Sequence, residues 1–162
     1  MVKWLIFGGI ALLVGGFWLV GELTQADRDA SGSVVGAGDE SVMALREGDC
    51  VLGLGLEGVD SKVTEASVPL VPCSEPHIYE VYSVDPGAFG ALDQPNTTEF
   101  EQQGDEYCYG AFSLYTGVSS DESEFMYTYL FPTDESWRQG DRELACLLHY
   151  EDYSRWSGSA RR

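Results

Sequence analysis

Near the middle of the chain, residues 71–77 are VPCSEPH and lie between two apolar segments. Cys73, Glu75 and His77 place a thiol, a carboxylate and an imidazole within five positions of one another. These are the residue types of a nucleophilic site or a metal site. The chain has 2 histidines in all, and His149 lies in a predicted strand. A zinc site would therefore lack the three or four convergent ligands that it needs. A Cys–His pair would need Cys73 as a free thiolate, whereas we expect it to be bonded to another cysteine. We predict no catalytic or metal site here.

The structural interpretation of the same stretch is a rigid corner. Pro72 and Pro76 fix the backbone and push the residues before them into extended conformation. Cys73 would form a disulfide, and His77 would begin the next strand while donating to a nearby carbonyl. We favour this interpretation over any chemistry.

The segments on either side of the corner have the patterns of strands. Short apolar runs occupy residues 49–56 (DCVLGLGL) and 67–73 (SVPLVPC), and residues 77–85 (HIYEVYSVD) alternate. Residues 124–131 (EFMYTYLF) and 143–151 (ELACLLHYE) predict two more strands. The last one is apolar on both faces, so we expect it to be central.

Helical spacing replaces this alternation after residue 96. Residues 97–116 predict one helix, capped by Asn96 or Thr97 and ended by Gly117. Its apolar face would consist of Phe100, Tyr107, Cys108, Ala111, Phe112 and Tyr115. A short helical turn is predicted between Thr133 and Gly140. The predicted fold class is α+β: a small, mostly antiparallel sheet with one main helix and two disulfides, preceded by one N-terminal transmembrane helix.

The transmembrane prediction rests on residues 4–20, WLIFGGIALLVGGFWLV, which carry no charge. A membrane-spanning helix needs roughly 17 to 25 apolar residues. Lys3 precedes the run, which places the N-terminus in the cytoplasm and the remaining chain outside. A cleaved signal peptide is the alternative, but no A-x-A site follows the run.

Small residues form one face of this predicted span. Gly8 and Gly15 nearly superpose at 100° per residue, Gly9 and Gly16 lie beside them, and Ala11 flanks the first pair. Such a face lets a neighbouring membrane helix approach closely. The partner would be a second copy of the chain or another membrane protein, although glycine is also simply common in such helices.

All 4 cysteines lie beyond the apolar run. An even number of cysteines in a small exported domain predicts disulfides, and no C-x-x-C pair supports a redox or zinc centre. Of the three pairings, we choose Cys50–Cys73 and Cys108–Cys146, because each pair closes one contiguous half of the domain.

The chain is strongly acidic, with 27 Asp and Glu against 9 Lys and Arg and a formal net charge of −18. Nucleic acid is therefore excluded as a partner, because phosphate binding needs a basic surface. A basic protein partner remains open, as does a weak surface calcium site, although no D-x-D-x-D-G loop is present. No cofactor is predicted.

The domain organisation follows from these patterns. Residues 1–3 form a cytoplasmic tail, and residues 4–21 form the span. Residues 22–45 are Gly- and Ser-rich and predict a flexible linker. Residues 46–151 form the extracytoplasmic domain, and residues 152–162 are a tail.

A second suggestive segment precedes the last strand. Trp137, Arg138, Asp141 and Arg142 would form an interaction patch if exposed, since Trp and Arg often anchor contacts. The alternative is a corner in which Trp137 fills the core and Asp141 pairs with an arginine.

Three motifs together carry a family resemblance: GDC (48–50), VPCSEPH (71–77) and PTDESWRQGDRELAC (132–146). In this order they resemble the septum formation family domain of actinobacterial envelope proteins. Relatives often follow the histidine with an acidic residue and then Ala-Glu, and here only Glu80 matches. The resemblance implies an extracytoplasmic domain with a role in division or envelope growth, and it implies no reaction.

We therefore expect a membrane-anchored, extracytoplasmic, non-enzymatic binding or scaffold protein of the cell envelope. An accessory subunit of a larger inner-membrane complex, such as a respiratory or transport assembly, is one alternative. An enzyme acting on cell-wall substrates is the other, and it would require a polar cleft around Glu75, His77 or residues 137–142.

Overall fold

A computed structural model describes residues 25–55 and 67–162 of the 162-residue chain. The helices and strands in chain order are β1 (Asp27–Arg28), β2 (Val34–Gly36), β3 (Gly38–Ser41), β4 (Cys50–Val51), β5 (Ser67–Val71), β6 (Tyr79–Asp85), α1 (Thr97–Thr116), β7 (Phe125–Leu130), α2 (Asp134–Arg138) and β8 (Leu144–Tyr150). Two 3-10 turns, Val42–Ala44 and Ser120–Glu122, precede β4 and β7.

One antiparallel sheet organises the domain. Its 6 strands lie in the order β3-β5-β4-β6-β8-β7, while β1 and β2 form a separate pair. The apolar sequence of β8 follows from its place between β6 and β7, where residues 144–149 are buried. Strand β8 is thus an interior strand, although it is only one strand from the edge.

The two faces of the sheet pack against different parts of the chain. On one face, Val51, Leu70 and Leu147 belong to a core that residues from the N-terminal part, including Ala26 and Leu45, help to close. On the other face, the aromatic residues of α1 pack against β6, β7 and β8. The Cys108–Cys146 disulfide joins α1 to β8 within this second core, and the Cys50–Cys73 disulfide joins β4 to the corner after β5. These are the two pairs predicted from the sequence.

Helix α1 is bounded as its sequence indicates. The side chain of Asn96 accepts from the Glu99 N–H at its start, and Gly117, with φ of 76°, donates to Ser113 O at its end. Gly104 is buried where the helix crosses β7, because a Cβ there would lie 2.9 Å from ring carbons of Tyr129. Tyr107, predicted on the apolar face, is exposed instead.

The predicted fold class was wrong about the balance of strand and helix. The described chain is mostly β, with a two-stranded sheet, a six-stranded sheet and one main helix, rather than α+β with a small sheet. Within residues 25–55 and 67–162, no helix is long and apolar enough to cross a bilayer. The predicted transmembrane residues 4–21, including the glycine face, lie outside those ranges.

The flexible linker predicted over residues 22–45 is also corrected where the structure describes it. Residues 27–41 contain β1, β2 and β3, and β3 pairs with β5 through four residues, Gly38–Ser41. The polar residues that suggested a linker are partly buried, Glu40 at 7% exposure among them. Polar sequence was therefore not sufficient to predict a linker, because Arg28 and Glu40 form ion pairs inside the fold.

The predicted tail over residues 152–162 is likewise bound to the domain. Trp156 forms an antiparallel bridge with His77, and the Ala160 N–H donates to Glu80. We call residues 152–162 the C-terminal segment.

Candidate functional site

The corner at residues 71–77 is built as a structural element. Cys73 is bonded to Cys50, so it provides no free thiolate. The Glu75 side chain is exposed, and the Glu75 N–H closes the turn by donating to Pro72 O at 2.8 Å. The Cys–Glu–His combination therefore does not form a nucleophilic site.

His77 is fully buried and held on three sides. Its Nδ1 lies 2.8 Å from Glu75 O, and its N–H and C=O each make a 3.0 Å bond with the backbone of Trp156. The two rings meet edge to face, with centroids 4.5 Å apart. Burial lowers the pKa of His77, which favours a neutral ring that donates from Nδ1 to the Glu75 carbonyl. Within the described residues, His77 Nε2 and Trp156 Nε1 are buried without hydrogen-bond partners.

Glu80 is a carboxylate in the interior of the domain, and it has no exposed surface. Its Oε1 accepts from the Tyr115 hydroxyl at 2.7 Å and from the Ser159 hydroxyl, and its Oε2 accepts from the Ala160 N–H at 2.7 Å. One group thus joins β6, the end of α1 and the C-terminal segment. We call these four residues the Glu80 lock.

An open cleft of about 450 Å³ adjoins the lock, because Ser159 and Ala160 also line it. Phe125 and Trp156 contribute aromatic surface, and Glu122, Glu124, Arg161 and Arg162 contribute charges of both signs. The Arg161 guanidinium forms an ion pair with the Glu47 carboxylate, with 2.6 Å between Nη2 and Oε1. The aromatic and charged groups that line the cleft suit non-covalent binding.

A second buried charge cluster fixes the GDC motif. Arg28 in β1 donates to both carboxylate oxygens of Asp49 at 2.6 and 2.8 Å, and it lies 3.5 Å from Glu40. Asp49 also accepts from the Arg46 N–H at 2.8 Å. The hydrogen bond with Asp49 raises the pKa of Arg28. The cluster attaches the N-terminal strands to the sheet and is structural.

The predicted interaction patch is not a continuous surface. Trp137 is 7% exposed and packs against Phe100, with ring centroids 5.6 Å apart. Arg142 covers the indole, its guanidinium carbon 3.4 Å from the ring centroid. Asp141 is buried and accepts from the Glu143 N–H at 2.9 Å rather than from an arginine side chain. Only Arg138 is exposed, and it pairs with Glu135. The segment is a corner that fills the core.

One geometric grouping has potential metal ligands. The sulfurs of Cys50 and Cys73 and a carboxylate oxygen of Glu80 all lie within 4.8 Å of one another. Both sulfurs are in the disulfide, so they cannot act as thiolate ligands. His149, the other histidine, is buried and stacks on Tyr153, with its Nδ1 2.8 Å from Tyr150 O.

The comparison with known families agrees with the resemblance carried by the motifs at residues 48–50, 71–77 and 132–146. The family model described as septum formation matches residues 47–160, more than half of the chain. The chain belongs to the septum formation family. No curated protein and no solved structure gives a significant match. The septum formation match extends past the predicted domain end at residue 151 and includes Trp156, Ser159 and Ala160, which contact His77 and Glu80.

The sequence did not predict the two buried polar groupings of this septum formation domain, the Glu80 lock and the cluster of Arg28, Glu40 and Asp49. In the alternating sequence of residues 77–85, Glu80 shares one side with Ile78, Tyr82 and Val84. A single carboxylate on such an apolar face signals a buried, hydrogen-bonded group. The partners, Ser159 and Ala160, are 79 and 80 residues away in sequence, so no local pattern could have identified them.

Proposed function

We propose that this domain is a non-enzymatic binding or scaffold module of the cell envelope, acting in septum formation outside the cytoplasmic membrane. The observation that carries the proposal is the septum formation match over residues 47–160. It covers nearly all of the six-stranded sheet and both disulfides, so it concerns the folded domain rather than one motif.

The disulfides support a location outside the cytoplasm. Each of the 4 cysteines is bonded, and no free cysteine is present among the described residues. Structural disulfides persist in oxidising compartments and are rare where cells keep thiols reduced. Loops of 23 and 38 residues would each contribute about 3 to 4 kcal/mol in the chain-entropy description.

Attachment to the membrane is proposed from the uncharged sequence of residues 4–20. Gln25 bridges to Asp39 in β3, so the chain enters the domain beside that edge of the sheet. Only residues 21–24 separate the apolar run from this bridge. A module held this close to the membrane would meet partners at the membrane surface.

The chemistry of the described residues supports binding rather than catalysis. The histidine rings each have Nδ1 within hydrogen-bond distance of a backbone carbonyl, and burial lowers the pKa of both. A general base must reach a substrate proton directly or through one water. The exposed cleft beside Trp156 offers charged and aromatic groups for non-covalent contacts instead.

The test is depletion of the protein in dividing cells, with septa counted per cell length. We expect septum number or placement to change and to be restored by the full chain. A matched control supplies residues 25–162 alone, which retain the domain and lack the apolar run; this form should not restore septa. Normal septa in depleted cells would refute the proposal.

A second candidate, an accessory subunit of a larger inner-membrane assembly, is favoured by the small-residue face predicted from the sequence of residues 4–20. The test is co-purification in mild detergent after crosslinking, comparing Gly9→Leu and Gly16→Leu with Ile10→Leu on the opposite side. Loss of a partner in the glycine variants alone would support a subunit. A single uncrosslinked chain from wild-type membranes would exclude it.

A further inference from the structure

The two edges of the six-stranded sheet differ in how they are covered. At the β3 edge, Gln25 forms a parallel bridge with Asp39, and the Ala26 N–H reaches Asp39 O at 3.4 Å. At the β7 edge, residues 25–55 and 67–162 supply no further strand. Every second residue of an edge strand directs its N–H and C=O away from its neighbour. Strand β7 therefore presents a row of outward backbone groups.

Strand β7 also lacks the features that usually block edge pairing. Its sequence, FMYTYL, contains no lysine and no proline. Its register with β8 is regular from Phe125↔Tyr150 to Leu130↔Ala145, without a bulge. Natural edges are commonly protected by charges, proline or bulges, and a regular edge without them accepts another strand.

Acidic groups flank this edge along its length. On the helix side, Asp105 accepts from the Tyr127 hydroxyl at 2.8 Å, and the Tyr129 hydroxyl donates to Glu101 O at 3.1 Å. Both acidic residues are exposed. Burial raises the pKa of Tyr127 to about 12, and the hydrogen bond and charge of Asp105 add to the shift.

Further acidic residues precede the strand. Asp121, Glu122 and Glu124 are exposed in the segment that leads into it. Two arginines, Arg161 and Arg162, line the cleft at that end, and the first of them is paired with Glu47. The edge as a whole is negative, which favours a cationic ligand.

We propose that the free edge of β7 binds an extended, cationic segment of a partner protein, which pairs with β7 as a seventh strand. The inference rests on the proposed binding function and names the chemistry of its partner. Backbone hydrogen bonds to β7 would provide affinity, and lysines or arginines of the segment would meet Glu101, Asp105 and Glu124. A second copy of this chain is a poor occupant, since pairing two such edges would bring together chains of net charge −18.

The test uses the full chain in detergent and two fluorescent octapeptides of equal charge. One alternates Lys with Val, and the other alternates Lys with Pro, which has no N–H to donate. We expect the Lys–Val peptide to bind at least about tenfold more tightly and to slow amide exchange in Phe125–Leu130. Equal binding of the two peptides, or no binding, would overturn the proposal.

A matched pair of variants locates the site. Met126 in β7 is 50% exposed, and Met43, near the opposite edge, is 42% exposed. Met126→Lys should weaken the Lys–Val peptide at least about fivefold through like-charge repulsion, while Met43→Lys should leave it unchanged. Urea unfolding of both variants checks that the fold is retained. Equal effects of the two substitutions would contradict an edge site, whereas the septum count on depletion tests the wider function separately.

Discussion

Glu80→Gln is the substitution that probes the Glu80 lock most selectively. The change keeps the size of the side chain and replaces one carboxylate oxygen by an NH₂ group, which donates and does not accept. The native carboxylate accepts from Tyr115, Ser159 and the Ala160 N–H. The two hydroxyls can rotate to accept from the new NH₂ group, whereas the backbone N–H of Ala160 has no such freedom. The glutamine oxygen should therefore turn toward Ala160.

The expected cost follows from these three contacts. Hydrogen bonds to a charged group contribute about 1.5–3 kcal/mol each, against about 0.5–1.5 kcal/mol for neutral ones. All three contacts can be kept in neutral form, and a neutral glutamine costs less to bury than a carboxylate, which offsets part of the loss. We therefore expect the free energy of unfolding to fall by about 1–3 kcal/mol. Glu80→Ala, which would leave the buried Tyr115 hydroxyl and Ala160 N–H unpaired, should cost more.

The assay is urea unfolding followed by tryptophan fluorescence, combined with amide hydrogen exchange at Ala160. Exchange at Ala160 should accelerate in Glu80→Gln more than exchange in the interior of β8, because local release of the C-terminal segment precedes global unfolding. The matched control is Glu75→Gln, on the exposed turn of the corner at residues 71–77. That variant should stay within about 0.5 kcal/mol of the wild type. Equal stability of Glu80→Gln and Glu75→Gln, with unchanged exchange at Ala160, would refute the role of the lock.

Three further substitutions test other parts of the fold by urea unfolding. Gly104→Ala should destabilise the domain by about 1–3 kcal/mol, since its Cβ would lie 2.9 Å from the Tyr129 ring. Gly110→Ala, whose Cβ would have no atom within 4 Å, should stabilise the domain by up to about 1 kcal/mol. Equal effects of the two substitutions would contradict the packing of α1 on β7. Arg28→Ala leaves Asp49 and Glu40 buried without their cation and should lower the free energy of unfolding by about 3–5 kcal/mol. Arg138→Ala, which removes an exposed ion pair, should lower it by less than about 1 kcal/mol. Comparable losses of stability in the two variants would argue against a buried cluster. Burial, and next the charge of Asp141, raises the pKa of Glu143 to about 7 from 4.5. Protonated Glu143 therefore contributes stability that is fully present below about pH 4.5 and is lost as the pH rises through 7. Glu143→Gln should thus gain about 1–2 kcal/mol over the wild type at pH 8, after allowance for screening at a half-buried group, and nearly nothing at pH 4; a gain that does not vary with pH would contradict this.

Local patterns were sufficient for the elements that bury apolar residues at a regular spacing. Helix α1 begins and ends at the predicted residues because Asn96 and Gly117 are strong caps. The predicted strands over residues 67–73, 77–85, 124–131 and 143–151 correspond to β5, β6, β7 and β8. Strand β4 is shorter than the apolar run that predicted it, since only Cys50–Val51 pair among the described residues.

Long-range polar contacts explain where the sequence interpretation failed. Residues 22–45 were predicted to be a linker because they are Gly- and Ser-rich, whereas Arg28 pairs with Asp49 and Glu40 inside the fold. For Trp137 the sequence left an exposed anchor and a core-filling corner open, and the structure has the corner, with Arg142 over the indole. In each case the sequence shows the residue type but not the residue that it contacts, because that contact is set by the topology of the sheet.

The location of the septum formation domain outside the cytoplasmic membrane can be measured through the only two lysines of the chain. Lys3 precedes the apolar run, and Lys62 lies within the domain sequence. A membrane-impermeant amine reagent applied to cells with an intact cytoplasmic membrane should label Lys62 and leave Lys3 unlabelled, as read by peptide mass spectrometry. Lysis before labelling serves as the control, in which both lysines should react. Labelling of Lys3 alone in intact cells, or protection of Lys62 until lysis, would contradict the account.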